Sequence, residues 1–134
     1  MKFLGIDYGT KRVGIAISDE EGKIAFPKVV LPYSSRLIEE LLDMCIRESV
    51  GGIVVGESKN LAGVDNPLMK DIDRFVSKWR RESKIPLFLE PEYMTSHQAH
   101  RVQGKHALLD ASAAALILQS FLDKTNNKII KATP

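Results

Sequence analysis

Residues 3–18, FLGIDYGTKRVGIAIS, decide the fold of this chain. They begin with a short apolar strand that ends in a charge at Asp7, and a turn follows at residues 8–11. In the next strand Val13, Ile15 and Ile17 alternate with small residues, and such a period of two is typical of a strand. A second turn leads to a third strand over residues 24–31, in which Pro27 indicates an edge or a bulge. Short links between three strands predict an antiparallel meander.

Beyond this meander the apolar pattern takes the period of a helix. The apolar stripe from Leu37 to Ile46 predicts a helix that Ser34 or Ser35 caps and that the glycines at 51–52 end. The further predicted elements are a strand over 52–56, a helix that starts at Asn66-Pro67, a strand over 86–90, a short helix over about 97–103 and a last helix over about 109–123. The order β-β-β-α-β-α-β-α-α predicts an α/β, ribonuclease-H-like fold, a five-stranded mixed sheet flanked by helices.

Length and composition indicate one globular domain. The chain has 134 residues, 44% of them hydrophobic and 27% charged, which excludes a disordered, collagenous or coiled-coil protein. We expect a single domain over residues 1–125 and a flexible tail over 126–134. The net charge of +2 is too small to establish a nucleic-acid partner. A lone cysteine, Cys45, and the lack of a signal or membrane-spanning segment predict a cytoplasmic protein with no membrane association.

Carboxylates stand at positions where they could meet. Asp7 ends a strand, Glu90 and Glu92 lie at the end of the fifth strand, and Asp110 begins the last helix on the face that carries Ala114. Ordinary explanations exist for each: a turn residue, a solvated strand exit and an acid favoured by the helix dipole. An oxygen-rich cluster of three acids would suit Mg²⁺ or Mn²⁺. Paired divalent ions of this kind serve phosphodiester hydrolysis.

Basic residues accompany two of these acids. Thr10, Lys11 and Arg12 follow Asp7 closely. The three histidines, with two basic neighbours, fall within ten residues, at His97, His100, Arg101, Lys105 and His106. A zinc site is an alternative for these histidines, but no cysteine or fixed carboxylate completes a zinc spacing, so phosphate binding is preferred. Residues 70–84 carry six basic and three acidic side chains, and we interpret them as a solvent-exposed helix face.

Three motifs resemble the YqgF/RuvX family, and the resemblance covers nearly the whole chain. They are Gly5–Ser18, Ile53–Gly56 and Asp110–Asp123. This resemblance implies a bacterial metal-dependent nuclease with a ribonuclease-H-like fold, named either as a Holliday-junction resolvase or as an enzyme that matures the 5′ end of the small-subunit ribosomal RNA precursor. It also implies that Asp7, one glutamate of the fifth strand and Asp110 are the catalytic metal ligands.

The glutamate segment departs from the family pattern, which is Asp-Glu-Arg-hydrophobic-Thr. Residues 90–96 read EPEYMTS. Counting back from Thr95 places Glu92 on the family glutamate and Tyr93 on its arginine, whereas counting forward from the strand favours Glu90. We prefer Glu92, with Glu90 as the alternative, because the spacing to the threonine is then kept. The residues expected to contact nucleic acid are Tyr8, Gly9, Thr10, Lys11, Arg12, Thr95, Lys105 and His106.

Several functions remain open from the sequence. A nuclease acting on precursor ribosomal RNA is the first, and single-stranded RNA could stack on an exposed Tyr8 or Tyr93. A nuclease that cuts four-way DNA junctions is the second, and it would normally be a two-fold dimer. We expect this protein to be a monomer or a weak homodimer. The motif Asp7-x-Gly9-Thr10 also resembles the phosphate loop of actin-like ATPases, which need two such domains. A non-catalytic RNA-binding or ribosome-assembly protein is the last alternative.

Overall fold

The computed structural model describes residues 1–59, 68–93 and 107–132. Its strands are β1 (Phe3–Asp7), β2 (Arg12–Ser18), β3 (Ala25–Pro32), β4 (Gly52–Lys59) and β5 (Leu87–Tyr93), and its helices are α1 (Leu37–Glu48), α2 (Leu68–Glu82) and α3 (Ala107–Ala132). The strands form one sheet in the order β3-β2-β1-β4-β5. β1, β2 and β3 pair antiparallel, whereas β1, β4 and β5 pair parallel. The predicted meander and mixed five-stranded sheet are confirmed.

The sheet separates two apolar cores. Leu4 and Ile6 of β1 point to the side covered by α1 and α2, where Trp79 is fully buried. Phe3 and Gly5 alternate with them and point to the opposite side, which α3 covers. Each large apolar side chain that is fully buried contributes about 1.5–3 kcal/mol relative to an exposed one. The two-residue alternation of β1 therefore fixes which side chains face α3.

The edge strand β3 contains the irregularity that Pro27 indicates. Ala16 pairs with Pro27 and Ile15 pairs with Val29, so Lys28 is the extra residue on the β3 side. An extra residue of this kind is a bulge, and an edge strand tolerates a proline because its outward amide needs no partner strand. Both features predicted for Pro27 are present.

The ends of α1 differ from the prediction. Its N-cap is Arg36, which makes no side-chain capping hydrogen bond, and Ser34 Oγ instead accepts the Arg36 amide at 3.2 Å. The helix ends at Ser49, which has a left-handed φ of 56°. The Val50 amide donates to the Cys45 carbonyl at 2.9 Å, so the last turn closes before the glycines are reached.

Three elements are longer than predicted. β4 and β5 pair in register from Ile53–Leu87 to Lys59–Tyr93, so both strands continue past their predicted ends at residues 56 and 90. Position 92 therefore lies within β5. α3 continues to Ala132, past the predicted start of the tail, and Asn126 Nδ2 donates to the Gly22 carbonyl at 3.2 Å. The division into a domain over 1–125 and a tail stays a prediction.

Two predicted features lie outside the described residues: the helix start at Asn66-Pro67 and the short helix over 97–103. In the described ranges, no helix combines the length and apolar character that crossing a bilayer requires.

Candidate nuclease site

Asp7 is the last residue of β1 and faces α3. The alternation along β1 puts it on the same side as Phe3 and Gly5. Its partner in the antiparallel pair with β2 is Gly14. Asp7 is half-buried, at the carboxyl end of a central strand. Its carboxylate is thus held on the rigid part of the sheet, next to the position where α3 begins.

Asp110 reaches the same place from the helix. A Cβ atom built on Gly14 would lie 2.1 Å from the Asp110 carbonyl oxygen, so the first turn of α3 rests directly on β2 at Gly14. A Cβ atom built on Gly5 would likewise lie 2.8 Å from the Ala114 carbonyl oxygen. These glycines let the helix approach the sheet more closely than side chains would allow. Asp7 and Asp110 are therefore both neighbours of Gly14.

The Asp110 carboxylate is incompletely satisfied within the described part of the protein. Arg12 Nε lies 3.1 Å from Asp110 Oδ2, which makes an ion pair. Oδ2 itself is buried and receives no hydrogen bond from the described residues. A buried carboxylate oxygen normally has a hydrogen-bond partner, and an exception calls for an explanation such as a bound ion. Carboxylate oxygens are the ligands that Mg²⁺ and Mn²⁺ prefer, so this oxygen fits a hard divalent cation.

Glu90 has a structural role that removes it from this place. Its side chain is only 3% exposed. Its Oε2 accepts a hydrogen bond from Ser120 Oγ at 2.8 Å and pairs with Lys124 Nζ at 2.5 Å. Ser120 lies ten residues after Asp110 in α3, which corresponds to about 15 Å along the helix axis. Glu90 thus anchors the middle of α3 to β5, far from Asp110.

Glu92 is the remaining glutamate of the segment. Its backbone pairs with Ser58 of β4, two residues beyond the Gly56–Glu90 pair. The structure describes the backbone of this residue and not its side chain. Across residues 1–59, 68–93 and 107–132, no three acidic, histidine or cysteine side chains form a group that could hold a metal ion. The metal-ligand set of Asp7, Asp110 and Glu92 therefore stays a prediction.

The two glutamates can be separated by matched substitutions. Glu90→Gln is expected to cleave RNA at about the wild-type rate, because the amide oxygen still accepts from Ser120 and Lys124; we expect a stability loss of about 1 kcal/mol. Glu92→Gln is expected to lose at least about tenfold in rate, as metal-site changes do. Single-turnover cleavage and urea unfolding measure the two effects. The reverse ranking of the two rates would make Glu90 the ligand.

Tyr8 corrects one expectation. An exposed Tyr8 was expected to offer a surface for base stacking, but Tyr8 is only 8% exposed. Its ring packs against Phe75 at a centroid distance of 5.5 Å and against Tyr33 at 6.0 Å. Burial raises the pKa of Tyr8 well above its ordinary value, and a side-chain hydrogen bond with Tyr33 adds to this effect. Tyr8 continues the alternation of Leu4 and Ile6 into the core, so it cannot be the stacking surface.

The other expected nucleic-acid contacts divide into two groups. Gly9 is half-buried in the turn that joins β1 to β2, and Thr10, Lys11 and Arg12 are exposed in that turn and at the start of β2. The remaining expected contacts, including the residues of the zinc alternative, lie outside the described residues: Thr95, His97, His100, Lys105 and His106. The backbone of Tyr93 pairs with Lys59.

Sequence reasoning missed the roles of Gly14, Glu90 and Tyr33. The small-residue face of β2 was a signal for Gly14, because such a face permits close helix packing. Nothing local marks Glu90, whose partners lie 30 and 34 residues away in the chain. Tyr33 follows β3 directly and is 49% exposed beside Tyr8. Its exposure depends on the packing of α1 and α2, which the local pattern does not contain.

Comparisons with known proteins agree with this architecture. The family model described as "RuvX: Holliday junction resolvase" matches residues 1–124. A protein of Oleidesulfovibrio alaskensis named "Putative pre-16S rRNA nuclease" is 35% identical, with 97% of each chain covered. A protein of the same name from Nitratidesulfovibrio vulgaris is 37% identical over 92% of this chain and 94% of its own length.

Solved structures resemble the fold at low sequence identity. Thermus thermophilus RuvC, in a structure with a Holliday junction substrate, has a TM-score of 0.57 at 14% identity, covering 93% of this chain and 95% of its own. The fowlpox virus Holliday junction resolvase has a TM-score of 0.56 at 13% identity, covering 92% and 99%. The predicted ribonuclease-H-like fold is thereby confirmed. The extent of the family match and of the relatives' identity shows that the chain belongs to the RuvX family.

Proposed function

We propose that this protein is a metal-dependent nuclease that hydrolyses phosphodiester bonds during 5′-end maturation of precursor 16S ribosomal RNA. The observation that carries the proposal is that the backbones of Asp7 and Asp110 both adjoin Gly14, while the buried Asp110 Oδ2 has Arg12 Nε at 3.1 Å and accepts no hydrogen bond from the described residues. Relatives with 35% and 37% identity that are named for this RNA supply the substrate. Such work on ribosomal RNA agrees with the expected cytoplasmic location.

The metal ligands in this proposal are Asp7, Asp110 and Glu92. Their carboxylates would hold Mg²⁺ or Mn²⁺, preferably as a pair of ions. When bound, the ions offset the charge of the scissile phosphate and lower the pKa of the attacking water. Asp7 and Asp110 stand on two packed elements, a central strand and a helix, so their carboxylates are held in position before substrate arrives.

Basic and polar groups around the aspartates are proposed to hold the phosphate backbone. Arg12 lies within 3.1 Å of Asp110 and is half-exposed, so it can exchange this carboxylate for a phosphate. Lys11 and Thr10 are exposed in the same turn. Thr95, Lys105 and His106 are the further expected phosphate contacts. These groups neutralise the backbone and carry no base information, so specificity has to come from elsewhere.

Resolution of four-way DNA junctions is the second candidate. The family description and the Thermus thermophilus RuvC structure favour it. A junction has two equivalent strands to cut, so this activity would need two copies of the chain around a two-fold axis. We rank it below RNA processing because relatives at 35% and 37% identity carry the ribosomal RNA name.

The test compares two substrates with one enzyme preparation. Purified protein is incubated in Mg²⁺ or Mn²⁺ with single-stranded RNA that carries the 16S 5′ leader, and separately with a four-way DNA junction. We expect RNA cleavage that EDTA stops and added metal restores. Asp7→Asn, prepared in parallel, should yield no product and so identifies any contaminating nuclease.

Each other outcome changes the proposal. Cleavage of the junction alone would replace RNA by branched DNA as the substrate. Failure to cleave either, by folded protein that still binds the RNA, would favour the non-catalytic assembly role.

A further inference from the structure

A groove of about 250 Å³ opens on the face of the sheet opposite to Asp7 and Asp110. It lies between the β3–α1 junction on one side and α2 on the other. Tyr8 and Phe75 form its apolar base, and polar or charged side chains surround it. The residues that line it include Tyr33, Asp71, Arg74 and Lys78. Its volume is below the roughly 300–1,000 Å³ of sites for drug-sized ligands, so a single unpaired base is a suitable size.

Tyr33 offers an aromatic surface at this groove. Its side chain is 49% exposed, although its ring edge contacts the buried ring of Tyr8 at a centroid distance of 6.0 Å. The Tyr33 amide donates to the Lys11 carbonyl at 2.8 Å, which fixes the backbone that carries the ring. An aromatic ring that is held in place yet half-open to solvent is the usual platform for an unpaired base, and every base can stack on it.

Positive charge continues from the groove along α2. Arg74 and Lys78 line the groove, and both also border a second depression together with Arg81. Spacings of four and three residues place these three cations on one face of the helix. Asp71 pairs with Arg74 at 3.1 Å, but the Arg74 side chain is 78% exposed, so the pair is weak. Asp73 also borders the second depression, but the three cations outnumber the two acids, so the groove and its extension favour an anionic ligand such as phosphate.

The groove is connected to the aspartates by the turn that joins β1 and β2. Asp7 and Tyr8 are consecutive residues on opposite sides of the sheet, so the two sites share the end of β1. Arg12 reaches Asp110 on one side, and the carbonyl of Lys11 holds Tyr33 on the other. A single strand that crosses this turn would therefore contact both sites.

We propose that this groove is a binding subsite for one unpaired base of single-stranded nucleic acid, with Tyr33 stacking on the base and with Arg74, Lys78 and Arg81 holding the neighbouring phosphates. The inference rests on the proposed nuclease function, because it describes the path of that enzyme's substrate. It adds a preference: a subsite for an unpaired base selects a single-stranded segment over a duplex.

The first test measures binding without cleavage. A fluorescent single-stranded RNA of about a dozen nucleotides is titrated with the full chain in EDTA, and anisotropy gives the Kd. Tyr33→Ala is expected to weaken binding by about tenfold, which lies within the range for loss of one stacked base. Tyr33→Phe keeps the ring and should bind like the wild type. Phe26→Ala is the matched control, because Phe26 is also 49% exposed but lies on the edge strand away from the groove.

The second test measures how the affinity for RNA depends on salt concentration when Lys78, an exposed cation outside the core, is replaced. Lys78→Ala is expected to reduce the slope of log K against log salt by about 0.7, the value for one lost phosphate contact on a single strand. Lys84→Ala is the control, since Lys84 is exposed just after the end of α2 and lines neither depression. Lys78→Ala keeps the inference testable if Tyr33→Ala fails to fold.

The outcomes separate the subsite from the nuclease. If folded Tyr33→Ala binds RNA as tightly as Phe26→Ala, or if Lys78→Ala and Lys84→Ala have the same salt slope, the subsite is overturned while cleavage that requires Asp7 stands. If wild-type protein cleaves nothing but Tyr33→Ala still weakens binding, the nuclease fails and the subsite stands. Equal affinity for duplex RNA of the same length overturns the preference for a single strand.

Discussion

Asp110→Asn is expected to lower the single-turnover rate of RNA cleavage by more than about 100-fold. Substitutions of groups that only support metal ligands already cost about 10–100-fold, and Asp110 is proposed to be a ligand itself. Asparagine keeps the shape of the side chain but loses the charge at the buried Oδ2. The rate is measured with enzyme in excess over RNA in Mg²⁺ and Mn²⁺, so that weak substrate binding does not enter.

The stability of this variant should change little, which makes the rate interpretable. The ion pair with Arg12 is half-exposed on the arginine side and is worth about 0–1 kcal/mol. The loss of a negative charge in the first turn of α3 adds about 0.3–1 kcal/mol through the helix dipole. Both contributions are small compared with the total free energy of unfolding of a domain, about 5–15 kcal/mol. Asp110→Asn should therefore remain folded at the assay temperature.

Asp123→Asn provides the matched control. Asp123 lies in the same helix, is exposed, and accepts a hydrogen bond from Gln119 Nε2 at 2.9 Å. It should cleave at the wild-type rate. Equal rates for Asp110→Asn and Asp123→Asn would contradict a ligand role for Asp110.

Binding of RNA by Asp110→Asn gives a second, independent reading. Removal of one negative charge beside the phosphate path should leave the affinity unchanged or increase it in EDTA. A purely non-catalytic binding protein would also bind RNA, but it would cleave none before the substitution. The combination of lost cleavage with retained binding is thus specific to a catalytic role.

The fold could be predicted because its signals are local. The alternation in β1 and β2 and the short turns between the first three strands are contained in about thirty residues, and they set the antiparallel half of the sheet. The later change from strand to helix periodicity implies parallel crossovers. The close packing of α3 on β2 at Asp110 was also foreseeable, because α3 carries small residues on the face that Asp110 shares and β2 has a small-residue face.

The local pattern could not distinguish the two glutamates, because contacts between distant elements decide which of them is engaged. Glu90 and Glu92 look equivalent in the sequence, and only the packing of Ser120 and Lys124 against β5 shows that Glu90 is engaged. Tyr8 is different, because its position in the alternation of β1 already indicated burial. The turn that follows Tyr8 suggested an exposed side chain instead. In the structure Phe75 and Tyr33 pack against the Tyr8 ring and bury it.

Gly14→Ala is expected to lower both stability and cleavage although it removes no functional group. The added Cβ would lie 2.1 Å from the Asp110 carbonyl oxygen and 2.6 Å from its carbonyl carbon. These are backbone atoms, so no side-chain rotation relieves the overlap and the start of α3 must move. Overpacking of this kind costs about 1–3 kcal/mol. A shift of about 1 Å at a catalytic constellation costs about 100-fold in rate.

Gly51→Ala separates the overlap from the general effect of replacing a glycine. Among the described residues, Gly22 is the glycine with a positive φ, so neither Gly14 nor Gly51 is in a backbone conformation that alanine avoids. A Cβ on Gly51 would meet Met1 Cγ at 2.6 Å and Met1 Sδ at 2.7 Å. Met1 is 58% exposed at the chain terminus, so its flexible side chain can move aside. Gly51→Ala should keep nearly wild-type stability and rate.

Urea unfolding and single-turnover cleavage, at a temperature where Gly14→Ala is folded, measure the two effects separately. A loss of stability without a loss of rate would mean that α3 can shift on β2 while its acid keeps its place, so the contact at Gly14 would not position the site. A wild-type rate and stability would contradict the close approach itself. A loss of both, with Gly51→Ala unaffected, is the result expected if one glycine on β2 sets where Asp110 stands relative to Asp7.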